Sequence, residues 1–258
     1  MGAAIRGYDW SSTSLGVPAT WPSPLRTAVQ LILNTSHPIY ICWGEQELCL
    51  YNDAYRQSIG DERHPSSLGQ PAKEVWAEIW SIIGPQVEQV KAGRGATWNE
   101  NHLIPITRNG RHEDVYWTYS YSPIGDDNAP NGIGGILVIC TETTQTVVAI
   151  SALRESEAQA RNVLENMGEA FALLDRDLRI IELNAEAMRL DERPREFLIG
   201  KTHSEAHPDA APELAELYRQ AITEQRAISL EHNYIWPNGR DSWLDIRAYP
   251  VGENLAVF

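Results

Sequence analysis

Apolar and polar positions alternate along this chain in short runs broken by glycine and proline, and the arrangement occurs twice. Leu25, Val29, Ile32 and Leu33 follow Ser23-Pro24 at helical spacing and predict a helix that ends at Asn34. Between Pro38 and Asn52, Ile39, Ile41 and Trp43 alternate with Tyr40 and Cys42, and Glu47–Tyr51 follows after a Gly44 turn. This predicts two short strands. Residues 53–92 read as short helical pieces, the clearest being Pro85 to Ala92 with Val87 and Val90 inward. Three strands follow, near 96–106, 113–124 and 132–142, and Asn109-Gly110 forms a hairpin turn between the first two. Residues 1–24 carry Trp10, Trp21 and three prolines, and read as an irregular lead-in that packs onto the first domain.

Residues 143–167 lack proline and glycine, and Ile150, Leu153, Glu157, Ala160, Leu164 and Met167 are spaced 3, 4, 3, 4, 3. That is a heptad register interrupted by one charge. It predicts a helical linker that is either an amphipathic helix on its own domain or the seam of a homodimer. Strands are then expected at 170–174 and 179–183, a helix at 211–224, and strands at 227–236 and 241–250 with a Pro237-Asn-Gly239 turn. The last residues, Leu255–Phe258, still read as strand. The corresponding first-half strand runs longer, so a final strand cut short, with more protein beyond it, is expected.

Four landmarks recur in one order. Asn52 pairs with Asn184, Gly69 with Gly200, Asn109-Gly110 with Asn238-Gly239, and Pro123 with Pro250, at offsets of 132, 131, 129 and 127. A tandem repeat of one domain type accounts for this, and 258 residues suit two ordinary domains.

Composition narrows the function. A net charge of −14 without a segregated basic patch argues against nucleic-acid binding. Three cysteines, Cys42, Cys49 and Cys140, fall in expected strands and form no Cys-x-x-Cys, which points to reduced thiols in a cytoplasmic setting. No apolar run approaches the roughly 20 residues that cross a bilayer. Phosphate-binding loops, nucleophile elbows and His-Glu-x-x-His are absent, so catalytic residues are not expected.

Each half reads β-β, short helices, β-β-β. With the Asn that closes the second strand, the Asn-Gly hairpin, the fourth strand ending in Pro, and Cys140-Thr-Glu-Thr-Thr144, this resembles the PAS domain. The lead-in Trp10–Arg26 resembles the start of N-terminal sensory regions of bacterial sensor histidine kinases. The resemblance implies an α+β fold of two five-stranded antiparallel sheets, each with helices on one face, joined by a helix. The expected divisions are a lead-in at 1–34, domains at 35–143 and 168–258, and a linker at 144–167. It further implies two-component signal perception, with chemistry in a later histidine kinase domain. A ligand-free docking scaffold and a cyclic-di-GMP enzyme output are the alternatives.

The fourth strand offers the most readable site. Trp117, Tyr119 and Tyr121 align with Leu244, Ile246 and Ala248, and strand alternation places each set on one face. In the first half that face, with Tyr40, Trp43 and Trp98, is expected either to fill the core or to line a cavity for a small apolar or amphipathic ligand. The aliphatic counterpart is expected to be ordinary core. Asn52 and Asn184 are expected to cap the following helix. His203 and His207 share an i, i+4 spacing, but no third ligand stands at metal-site spacing. Haem lacks a histidine in either main helix and flavin lacks a reactive-cysteine motif, so no cofactor is expected.

Overall fold

The computed structural model describes residues 1–236 and 239–258, so the turn expected at Pro237-Asn238 lies outside the described residues. The chain divides into two compact units, Met1–Ser151 and Ala152–Phe258.

In the first unit β1 (Ile39–Trp43), β2 (Leu48–Tyr51), β3 (Thr97–Arg108), β4 (Arg111–Gly125) and β5 (Ile133–Glu142) form one antiparallel sheet in the order β2-β1-β5-β4-β3. The β3–β4 turn is possible because Asn109 and Gly110 both take positive φ, 52° and 70°, which a tight hairpin of the right twist demands. Helices α1 (Gly2–Gly7) and α2 (Ser23–Leu33) precede the sheet, and α3 (Asp53–Ile59), α4 (Ala72–Val75) and α5 (Trp80–Lys91) lie between β2 and β3.

Two expectations change here. The lead-in is not wholly irregular, because α1 and two 3₁₀ turns organise it around buried Trp10 and Trp21. Their indole N–H groups donate to the carbonyls of Ile5 and Gly16. Helix α5 begins a turn before Pro85, because buried Ile79 and Ile83 extend the stripe of Val87 and Val90 at spacings of 4, 4 and 3.

The first sheet is also covered over part of its second face, although Ile139 and Trp98 stay exposed. Leu25, Ala28, Val29 and Ile32 of α2 are buried, and α2 packs along β1, β2, β4 and β5. Ile41, which alternation sets opposite Tyr40, is completely buried.

The 22-residue helix α6 (Thr144–Glu165) has no buried residue. Ile150 and Leu153 are exposed, Leu164 is half-buried, and Met167 lies beyond the helix, so the seam stops short of the expected Met167.

The second unit repeats the topology. Its strands β6 (Ala172–Leu174), β7 (Ile180–Leu183), β8 (Ile228–Ile235), β9 (Asp241–Val251) and β10 (Asn254–Val257) take the order β7-β6-β10-β9-β8. Between β7 and β8 come α7 (Ala185–Asp191), α8 (Arg195–Leu198), α9 (His203–Ala206) and α10 (Pro212–Glu224). The final strand is four residues long yet pairs with both β6 and β9. Its outer sheet face is bare, with Trp243, Tyr249 and Val251 exposed.

Candidate functional site

A buried asparagine organises each unit. The Asn52 carbonyl oxygen accepts from the amides of Ile39 at 3.1 Å and Tyr55 at 2.9 Å. Its amide donates to the carbonyls of Ile32, Thr35 and His37 at 3.1, 3.0 and 2.7 Å. Asn184 accepts from Phe171 and Ala187, each at 2.9 Å, and donates to Leu164 at 3.0 Å and Glu169 at 2.8 Å. The partners Ile32/Leu164, His37/Glu169, Ile39/Phe171 and Tyr55/Ala187 all differ by 132, the offset of the asparagines themselves. Each asparagine caps a helix and also ties the helix before the sheet to the sheet's first strand. Backbone groups that would otherwise be stranded in a dry interior are satisfied.

This alignment shows what differs between the two interiors. In the first unit, Tyr40, Val138 and Tyr121 lie side by side across β1, β5 and β4. In the second, Ala172, Val257 and Ala248 take those places across β6, β10 and β9. Tyr55 becomes Ala187, and Trp117 becomes Leu244. Three tyrosines are thus replaced by alanine and a tryptophan by leucine at positions facing the helices.

The aromatic interior is nearly filled. Tyr40, Tyr55, Trp76, Trp117, Tyr119 and Tyr121 leave a space of only about 50 Å³. The hydroxyls of Tyr40, Tyr119 and Tyr121 are satisfied from within. Those of Tyr40 and Tyr121 meet at 2.9 Å. The Tyr119 hydroxyl lies 2.8 Å from Gln86 Nε2, which donates to it, and 2.8 Å from His102 Nδ1. Gln86 Oε1 accepts from Thr97 and Asn99, both at 2.8 Å. Burial pushes the hydroxyls of Tyr40, Tyr55 and Tyr121 well above the usual tyrosine range, so they stay protonated donors.

Two of the expected lining residues are elsewhere. Trp98 is 67% exposed, because alternation along β3 turns its neighbours Thr97 and Asn99 inward to Gln86. A bulge between Asn99 and His102 then brings His102 onto Tyr119. Trp43 is buried but stands on the face opposite Tyr40. It lies against Gly135, where a Cβ would come within 2.5 Å of its ring. Sequence reasoning also missed Tyr55, Trp76, Gln86 and His102, whose chain positions show no periodic link to the fourth strand.

The open space is in the second unit, where ordinary core was expected. A cavity of about 310 Å³ is lined by Ala172, Leu174, Ala187, Leu214, Leu244 and Ile246, and by Phe171 and Phe258, whose rings are tilted against each other with centroids 5.3 Å apart. That volume falls within the range of small-molecule sites, about 300–1,000 Å³. One wall is polar. His203, His207, Tyr218, His232, Tyr234 and Trp236 belong to the lining. Thr202 and Glu205 form a capping box that fixes the short helix carrying His203. Burial, with lesser effects of His207 and His232, pushes His203 down to about 4, so its imidazole is neutral. Burial also lowers His207, whose Nδ1 lies 3.2 Å from the Tyr234 hydroxyl. Asp191 is closed off by Arg193, which donates to its two oxygens at 2.5 and 2.7 Å. Among the described residues no histidine, cysteine or carboxylate cluster could hold a metal. The signal that could have located this site was the run of large-to-small replacements, since small residues in a fixed backbone frame leave volume.

Residues 164–257 match a family model described as PAS fold, and the second unit therefore contains a PAS domain. No curated protein matches the chain. Similar solved structures include the PAS domain of nitrogen regulation protein NR(II) from Vibrio parahaemolyticus, at 23% identity, with 38% of this chain and 93% of that one covered and a TM-score of 0.34. A PAS domain from a two-component sensor histidine kinase shares 18% identity over 41% of this chain and 95% of its own, with a TM-score of 0.34. The photoactive yellow protein domain of the sensor histidine kinase Ppr from Rhodospirillum centenum shares 16% over 38% and 90%, with a TM-score of 0.35. Among the described residues no helix is long and apolar enough to cross a membrane.

Proposed function

We propose that this chain is a non-catalytic sensory module in which the second unit perceives a small molecule and the first is a filled scaffold of the same PAS type. The observation that carries this reading is the contrast between a cavity of about 310 Å³ and one of about 50 Å³ in two interiors of one topology. The shared strand order and the asparagine hub at a constant offset support the tandem assignment. The ligand expected for the first unit is thereby moved to the second.

The signal would be a population shift: ligand favours one packing around the cavity, and Asn184 links that packing to the end of α6. A differential affinity of about 1–3 kcal/mol between the two states is enough. Ile150 and Leu153, exposed on α6 at heptad spacing, support a cytoplasmic homodimer that delivers the signal to a histidine kinase output in the same protein.

Native mass spectrometry of the intact chain tests the sensing role. A small molecule that co-purifies with the wild type and is lost from Ala187→Leu supports it. One lost from Tyr121→Ala but kept by Ala187→Leu assigns sensing to the first unit instead.

A further inference from the structure

The polar wall of the second cavity has hydrogen-bonding groups that the protein does not use. Six rings run along it. Tyr218 and His203 have centroids 5.3 Å apart, His203 and His207 5.1 Å, His207 and Tyr234 5.6 Å, and Tyr234 and Trp236 4.9 Å, while His232 lies beside Tyr234 at 6.5 Å. His207 and Tyr234 already have partners, since the Tyr234 hydroxyl and Arg193 Nη2 both lie 3.2 Å from His207 Nδ1. The other four do not. Trp236 Nε1 and His232 Nε2 are buried and meet no partner among the described residues. The Tyr218 hydroxyl and the His203 imidazole, both in the lining, also make no hydrogen bond there.

All four of these groups can donate. An indole N–H can only donate, while a tyrosine hydroxyl and a neutral imidazole each have one hydrogen to give as well as lone pairs. The carboxylates that could favour a cationic ligand are engaged or outside. Asp191 is held by Arg193 and Glu169 by Arg247, while Asp245 is exposed. The rest of the lining is aliphatic or phenyl. A buried polar group without a partner costs more than the same group paired, so the occupant that best stabilises this wall brings acceptors to it.

Resting on the sensing reading above, we infer that the ligand has an apolar body and a carbonyl or carboxylate head, and that Tyr218, His203, His232 and Trp236 receive the head. The aliphatic end holds the body, and the head's oxygen lone pairs take the four donors.

Calorimetric titration of the intact chain with phenylacetate, phenylacetamide and ethylbenzene tests this. The three share a phenyl body and differ in the head. At least one oxygen-bearing probe should bind tenfold or more tighter than ethylbenzene. Tyr218→Phe and Trp236→Phe should each weaken that probe about fivefold, as expected for one lost hydrogen bond. Ethylbenzene should stay within twofold, which also shows that the variant cavity is intact. Ethylbenzene binding as tightly as both oxygen-bearing probes overturns the inference while leaving the cavity a ligand site. An advantage unchanged in both variants overturns it as well. Binding of none of the three overturns this inference and the sensing reading together. The wild-type comparison decides the question even if a variant fails to fold.

Discussion

The side-chain amide of Asn184 donates to the carbonyl of Leu164, 3.0 Å away, and so fastens the last turn of α6 to the sheet of the second unit. The same side chain accepts from Phe171 at the edge of the first strand and from Ala187 in the helix that borders the cavity. One residue therefore touches the connector, the sheet and the cavity wall. Asn52 is its counterpart in the first unit.

Asn184→Ala should lower the stability of the second unit by about 2–4 kcal/mol, because several buried backbone groups lose their partner at once. The first unit should keep its own transition. Urea unfolding followed by hydrogen exchange resolves the two. Amides around residues 164–171 should lose protection most, and equal loss in both units would count against a local clamp.

Filling the cavity should be tolerated. Ala187→Leu adds apolar volume to open space, so its stability should stay within about 1 kcal/mol of the wild type, where overpacking a dense core costs about 1–3 kcal/mol. The converse change, Tyr121→Ala in the filled interior, should cost about 3–5 kcal/mol through the hole it leaves. Tyr121→Phe should cost about 1 kcal/mol, because the Tyr40 hydroxyl loses the partner that stood at 2.9 Å. Thermal melts of the three variants give the ordering.

Stability of the second unit should fall with acid. His203 sits at about 4 in the folded protein against an ordinary 6.5. Between these values the unfolded chain binds the proton and the folded chain does not, so stability rises with pH across that window and is lost as pH drops from 6.5 towards 4. The full effect is roughly 3 kcal/mol. The melting temperature of the wild type, followed from pH 7.5 to 4.5, should fall more steeply than that of His203→Phe. A parallel pair of curves would refute the assignment.

Ile150→Asp with Leu153→Asp should convert a dimer to a monomer in analytical ultracentrifugation, with both units still folded. The two side chains are 46% and 60% exposed, so the change disturbs no core within the chain. A sedimentation coefficient equal to that of the wild type would remove the proposed seam.

Much of the architecture could be read from the chain. Both five-stranded sheets, the Asn109-Gly110 hairpin and the inward face of Trp117, Tyr119 and Tyr121 follow from period-two alternation and turn chemistry, which are local. The site was harder. Aromatic residues with hydroxyls suggested a ligand face, yet Tyr40 and Tyr121 satisfy each other and fill the space between strands that are 81 residues apart in sequence. The same parity rule that placed Trp117 inward turns Trp43 to the opposite, buried face and Trp98 to solvent. The bulge that brings in His102 is invisible to that rule. The cavity of the second unit depends on what is missing: Ala172, Ala187 and Ala248 look like ordinary core alanines until they are set beside Tyr40, Tyr55 and Tyr121. His203, His207 and His232 are brought to one wall only by the fold.

The location of the proposed sensing cavity can be measured directly by pressurising crystals of the chain with xenon, which enters apolar space large enough to hold it. The account predicts anomalous density for xenon among Ala172, Leu214 and Ile246 in the second unit and none among Tyr40, Tyr55 and Trp117 in the first. Xenon in the first interior, or an empty second one, would contradict it.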